Sequence, residues 1–188
     1  MFNQISPDGP HPSEANVVSH TDSRFGCRPG TATSEDNEQR AQVQSLLDRL
    51  LQASPIYKLI LSTIELEHVS RGFVTTGLTL TPTHVNSKGT LHGAVSATLV
   101  DLTTGLAIAA WDGRQATGAS VDMHLSYLST AHAGDRVRIE TRAERVGGSL
   151  AFVTVKIVKV GGGGGEDKVV TMGQHTKYVK GTAPVERP

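Results

Sequence analysis

The chain has 188 residues, enough for one domain and a tail. Its 18 Lys+Arg balance 18 Asp+Glu, so no broad basic field is available, which argues against nucleic-acid partners and polybasic membrane contacts. No run reads as long and apolar enough to cross a bilayer, so membrane insertion is not expected. The single cysteine, Cys27, leaves no internal disulfide and suits a reducing compartment.

In chain order, residues 1–33 are rich in Pro, Ser, Gly and Asn and hold little to bury, which predicts a disordered tail. Met1 to Pro10 lacks the apolar core of a secretory signal, and Asp8, Glu14 and Asp22 interrupt any presequence character. The expected compartment is the cytoplasm, with the mitochondrion as alternative. Ser34 is a plausible N-cap, with Glu35 and Asp36 in the first turn. Val43, Leu46, Leu47, Leu50 and Leu51 then recur at helical spacing, and this helix should end near Pro55. Tyr57 to Ile60 reads as a lead into the first strand. Strand patterns cover Thr63 to Val69 and Phe73 to Thr81, joined by a turn at Ser70-Arg71-Gly72.

His84 to Trp111 dominates the chain. A polar turn, Asn86 to Gly89, opens into a helix that is apolar nearly all round, the mark of a buried helix. Val95, Leu99, Leu102, Leu106 and Ala109 share one face; Ala94, Ala97, Thr98, Asp101, Thr104 and Gly105 make a second, small and polar one. Asp101 is the helix's only charge, and a buried carboxylate is costly unless paired or working. Asp112-Gly113 marks a turn. Strand patterns follow over Thr117 to Leu128, Asp135 to Val146, Ala151 to Val160 and Val169 to Val179, with turns at Gly147-Gly148 and Gly161 to Gly165. In the first of these, Val121, Met123, Leu125 and Tyr127 alternate with Ser120, Asp122, His124 and Ser126, a half-buried strand. The expected fold is α+β: one long central helix wrapped by an antiparallel sheet of five or six strands. Its domain runs over 34–181, before a flexible C-terminal tail, 182–188.

Asn86 and Gly89-Thr90-Leu91-His92-Gly93, Ala97-Thr98-Leu99-Val100-Asp101, Ser120-Val121-Asp122-Met123 and Gly173-Gln174-His175-Thr176-Lys177 carry a resemblance. Together they resemble the hotdog-fold acyl-coenzyme A thioesterases, in the phenylacetate-pathway-like group and its eukaryotic acyl-coenzyme A thioesterase thirteen type. The resemblance spans about Leu46 to Lys180; Ala94 departs from it, where many relatives have a second glycine. It implies a hydrolase of lipid metabolism that releases a free acid and coenzyme A with no cofactor or metal. Two alternatives remain: a thioesterase acting on acyl or polyketide chains of a carrier protein, and a non-catalytic acyl-thioester-binding module. A hydratase of related fold would carry a histidine at position 106, where this chain has leucine.

Thioester hydrolysis needs a water or carboxylate nucleophile and donors for the oxyanion. Gly93 opens the helix, where backbone N–H groups are unpaired and the dipole is positive. Asp101 is the candidate general base or nucleophile, a role the family match assigns. The resemblance likewise assigns Asn86 to the thioester carbonyl or the water, and Ser120 to positioning the nucleophile. His92, which orients the turn, and Thr98 complete the set as substrate-binding residues. Lys177, like Lys88, Arg71 and Lys180, could meet coenzyme A phosphates, but the default reading is a solvated surface cation and these four stay outside the set. Eight helical residues place Gly93 and Asp101 about 12 Å apart, too far to serve one thioester. A homodimer with sites shared between subunits is therefore expected, or, by resemblance, a homotetramer of two such dimers.

Overall fold

The computed structural model describes residues 34–162 and 165–184. The expected tail over 1–33, Cys27 included, lies outside them, as do 185–188. Helix α1, Ser34–Ala53, starts with Ser34 already helical and buries Val43, Leu46 and Leu47. The chain then departs from expectation. Pro55 does not only end a helix: with Ser54 as N-cap it starts a second, α2 (Pro55–Leu61), so Tyr57 to Ile60 is helical and not a lead into a strand. Proline's fixed φ and missing N–H suit the first helical position.

Strands β1 (Glu65–Ser70) and β2 (Phe73–Thr79) form a hairpin whose turn needs Gly72 at φ 68°. The central helix, α3, runs Gly93–Asp112 and is stopped by Gly113 in the left-handed region at φ 77°. Strands β3 (Ala119–Tyr127), β4 (Arg136–Val146), β5 (Leu150–Lys159) and β6 (Lys168–Tyr178) follow. All pairings are antiparallel, in the order β1-β2-β4-β5-β6-β3. Both expected features are present: the long central helix and the antiparallel sheet.

Leu99, Leu102 and Leu106 of α3 are buried with Leu78 of β2, Ile139 of β4 and Ile157 of β5 in one core. Burying a side chain of this size contributes about 1.5–3 kcal/mol. Gly173 of β6 lets strand and helix approach: a Cβ there would lie 3.3 Å from Val100 and 2.9 Å from Leu125. By length and composition α3 does qualify as a membrane span, which corrects the expectation that no run does. Its apolar surface is instead taken by its own sheet, with 72% of the qualifying window buried.

The two sheet edges differ. Arg40 of α1 covers the β1 edge, donating to the carbonyls of Leu66 at 2.7 Å and Glu67 at 2.9 Å. β3 pairs only with β6 among the described residues. Its alternation is not the regular half-buried one expected: a bulge between Ser120 and Asp122 shifts the register, and Val121 is 59% exposed. Met123 and Leu125 pack on the core, while Tyr127 and Leu128 stand exposed.

Candidate active site

Asp101 lies on α3 where Ser120 and Lys177 face each other across β3 and β6. Lys177 Nζ donates to Asp101 Oδ1 at 2.7 Å and to Ser120 Oγ at 3.2 Å. Ser120 Oγ donates to the same Oδ1 at 3.2 Å. On the other side the Tyr57 hydroxyl, from α2, donates to Oδ2 at 2.6 Å. Burial works against the charge, but the hydrogen bonds from Lys177 and Tyr57 outweigh it, and the Asp101 carboxyl sits below its ordinary value. The result is an ionised carboxylate that keeps a third of its side-chain surface open to solvent.

Lys177 therefore corrects the sequence reading. It is not a solvated surface lysine: its side chain is 5% exposed and ion-paired. His175, two residues before it on the same strand face, is also buried; its Nδ1 lies 3.1 Å from Thr104 Oγ1, and its Nε2 has no partner among the described residues. Burial and the Lys177 charge, against the pull of Asp101, bring the His175 pKa down to about 4.

At the start of α3, His92 is the N-cap and ties down the first turn. Its Nδ1 accepts from the Ala94 N–H at 3.0 Å, and its carbonyl accepts from Val95 at 2.9 Å and Ser96 at 3.1 Å. The Gly93 N–H alone in this turn has no acceptor among the described residues. Gly93 lines a cavity of about 440 Å³ with Asn86, Leu91, Ala94, Tyr127 and Val170; Asp101 is not in its lining. Tyr127 closes over Gly93, its hydroxyl 3.3 Å from the Gly93 carbonyl, so a Cβ at this position would press on the ring.

The Asn86 side chain bonds within its own turn. Its Oδ1 accepts from Lys88 N–H at 2.9 Å, and its Nδ2 donates to Thr90 Oγ1 at 2.9 Å. Thr98 Oγ1 donates back to the Ala94 carbonyl at 2.8 Å. Within one chain the structure thus groups Asp101 with Ser120 at the middle of α3, and Gly93 with Asn86 and His92 at its start. Tyr57, Lys177 and Tyr127 join these groups unannounced. A polar side chain at the end of a strand or early in a short helix gives no sequence signal of its partner. No group of His, Cys, Asp and Glu that could hold a metal occurs among the described residues.

A buried helix gripped by a six-stranded antiparallel sheet, with a carboxylate along it and a free N–H at its start, is the hotdog architecture of the thioesterase class. The thioesterase superfamily model matches residues 88–166. Human acyl-coenzyme A thioesterase 13 is 33% identical over 123 residues, 65% of this chain and 84% of the relative. Zebrafish thioesterase superfamily member 2 superimposes with a TM-score of 0.62 at 31% identity, covering 76% of this chain and 96% of that one. A Streptococcus pneumoniae thioesterase solved with coenzyme A shares the fold: its TM-score is 0.59 at 21% identity, over 68% of this chain and 92% of that one. The chain belongs to the hotdog-fold acyl-coenzyme A thioesterases of the thioesterase superfamily.

Proposed function

We propose that the protein hydrolyses acyl-coenzyme A thioesters to a free acid and coenzyme A, with Asp101 as general base. The observation that carries this is the Asp101 carboxylate, held by three donors, kept ionised by Lys177 and Tyr57, and still open to solvent. Asp101 takes a proton from a water, whose oxygen attacks the acyl carbon. The carbonyl oxygen gains charge and is met by the Gly93 N–H, an unpaired donor at the positive end of a helix dipole. The intermediate collapses, the C–S bond breaks, and the thiolate leaves to be protonated. Asn86 and His92 shape the turn that presents Gly93, and Ser120 aims Asp101.

The same reading makes the site a shared one. Gly93 and Asp101 are separated by about 12 Å along α3, and the cavity at Gly93 does not reach Asp101. A twofold partner with antiparallel α3 supplies the missing half. The uncovered β3 edge, with Val121 and Tyr127 exposed, is the surface available for it. A cytoplasmic place in lipid metabolism fits the lone cysteine and the neutral chain.

The test is thiol release from acetyl-, octanoyl-, palmitoyl- and phenylacetyl-coenzyme A by the wild type and Asp101→Asn. Loss of a general base lowers kcat by about 10²–10⁴, with the fold retained. Turnover in Asp101→Asn at the wild-type rate would remove the base. Binding of all four without turnover by the wild type would leave an acyl-thioester-binding module.

A further inference from the structure

Two of the three donors on Asp101 belong to the sheet. The third, Tyr57, stands on α2, 44 residues upstream of Asp101 and outside the 88–166 span that the superfamily model matches. A carboxylate offers about four lone-pair sites. Lys177 and Ser120 occupy Oδ1, and Tyr57 takes one site on Oδ2. One Oδ2 lone pair is left for the proton of an attacking water. With donors on Oδ1 alone, the carboxylate plane could turn about its Cβ–Cγ bond. A donor on the second oxygen, from a different element, stops that rotation. α2 is suited to this: Pro55 and the Ser54 cap set its start, the Ser54 hydroxyl accepts from the Tyr57 N–H at 3.5 Å, and the Tyr57 ring packs on the core.

We infer that Tyr57 is a positioning residue of the thioesterase reaction: its O–H fixes the Asp101 carboxylate in rotation, favours its anion, and leaves one Oδ2 lone pair for the water. The inference rests on Asp101 being the base. The titratable and charged groups around Asp101 are Tyr57 from α2 and Lys177 and His175 from β6; Asp122 of β3 acts on His175. Burial, then the Asp101 hydrogen bond and charge, push the Tyr57 hydroxyl well up, so it remains a donor through the neutral range. Removing that O–H changes no formal charge in the cluster.

The experiment is a pH–rate profile of full-length Tyr57→Phe on whichever of the four acyl-coenzyme A substrates the wild type turns over fastest. Phenylalanine keeps the ring and its packing. The expected result is a kcat lower by about tenfold, the equivalent of one hydrogen bond to a charged group, with KM unchanged. The acid limb of kcat/KM moves to higher pH, because a carboxylate that loses a donor is protonated more readily. A fluorotyrosine placed at position 57 strengthens the donor without altering the fold, and should move the limb the other way. A lowered Tm with the limb unmoved in both variants would reduce Tyr57 to packing and overturn the inference. Asp101→Asn measured alongside separates the two readings. If it stays active, the base is wrong; if it is dead while both position-57 variants match wild type, only the role of Tyr57 falls.

Discussion

His175 shows how the site sets the stability of the fold at the scale of one residue. Its imidazole is buried under α3 with one nitrogen unpartnered, and its pKa falls from 6.5 to about 4. In that window the unfolded chain binds a proton that the folded chain refuses, so stability rises with pH through it and is lost as pH falls from about 6.5 to about 4. The full effect is about 3 kcal/mol at about 1.4 kcal/mol per unit. His175→Gln should flatten the dependence of Tm on pH across this range; an unchanged slope would place the acid sensitivity on other groups. Asp101 acts with the same sign, at lower pH. Its folded pKa is lowered, so its contribution is complete above the unfolded value of 3.8 and disappears as pH falls through the folded one. The two groups therefore weaken the protein in successive windows. The place of Gly93 at the start of the buried helix, by contrast, was readable from the chain.

At the scale of the element, the edges of the sheet divide the work. α1 shields β1 through Arg40, whereas β3 leaves its outer backbone and Val121 uncovered. Val121 and Leu128 are 59% and 56% exposed in the single chain. Lysines at such positions on a monomer would change stability by no more than about 0.5 kcal/mol. If β3 is the dimer edge, Val121→Lys with Leu128→Lys should instead convert a dimer to a monomer in sedimentation and abolish thiol release. A double variant that stays dimeric and active would move the interface elsewhere. The bulge that exposes Val121 was not legible, because the plain alternation Val121-Met123-Leu125-Tyr127 reads as an unbroken strand. Only the pairing with β6 reveals the shift, with Ser120 opposite Lys177 and Asp122 opposite Thr176.

For the whole molecule, the division of the site along α3 yields a mixing experiment. Gly93→Pro deletes the unpaired N–H at a position, the first of the helix, where proline is tolerated; its Cβ also presses on the Tyr127 ring, so the fold of the variant is checked alongside. Loss of one oxyanion donor costs about 10²–10³ in rate. If each site takes Asp101 from one subunit and Gly93 from the other, a heterodimer of Asp101→Asn and Gly93→Pro holds one doubly damaged site and one intact site. Subunit exchange between the two inactive homodimers should restore roughly a quarter of wild-type activity per subunit under random pairing. No recovery despite proven exchange would mean that each site is built within one chain.

The chain by itself determined the central helix, the antiparallel sheet around it, and the lone carboxylate and opening glycine on that helix. These are local in origin: an apolar run with a single charge, small residues at its start, and alternating strands separated by glycine turns. What only the tertiary structure decided is which groups meet Asp101. Tyr57 was hidden because a proline read as a stop turned out to begin a helix. Lys177 was hidden because the burial of a lysine depends on its partner, here 76 residues away and brought to 2.7 Å by the pairing of β6 with β3 beneath α3. Spacing along a helix can be counted in the sequence; the electrostatic environment of a carboxylate is assembled from strands and helices distant in the chain, and exists only once they pack.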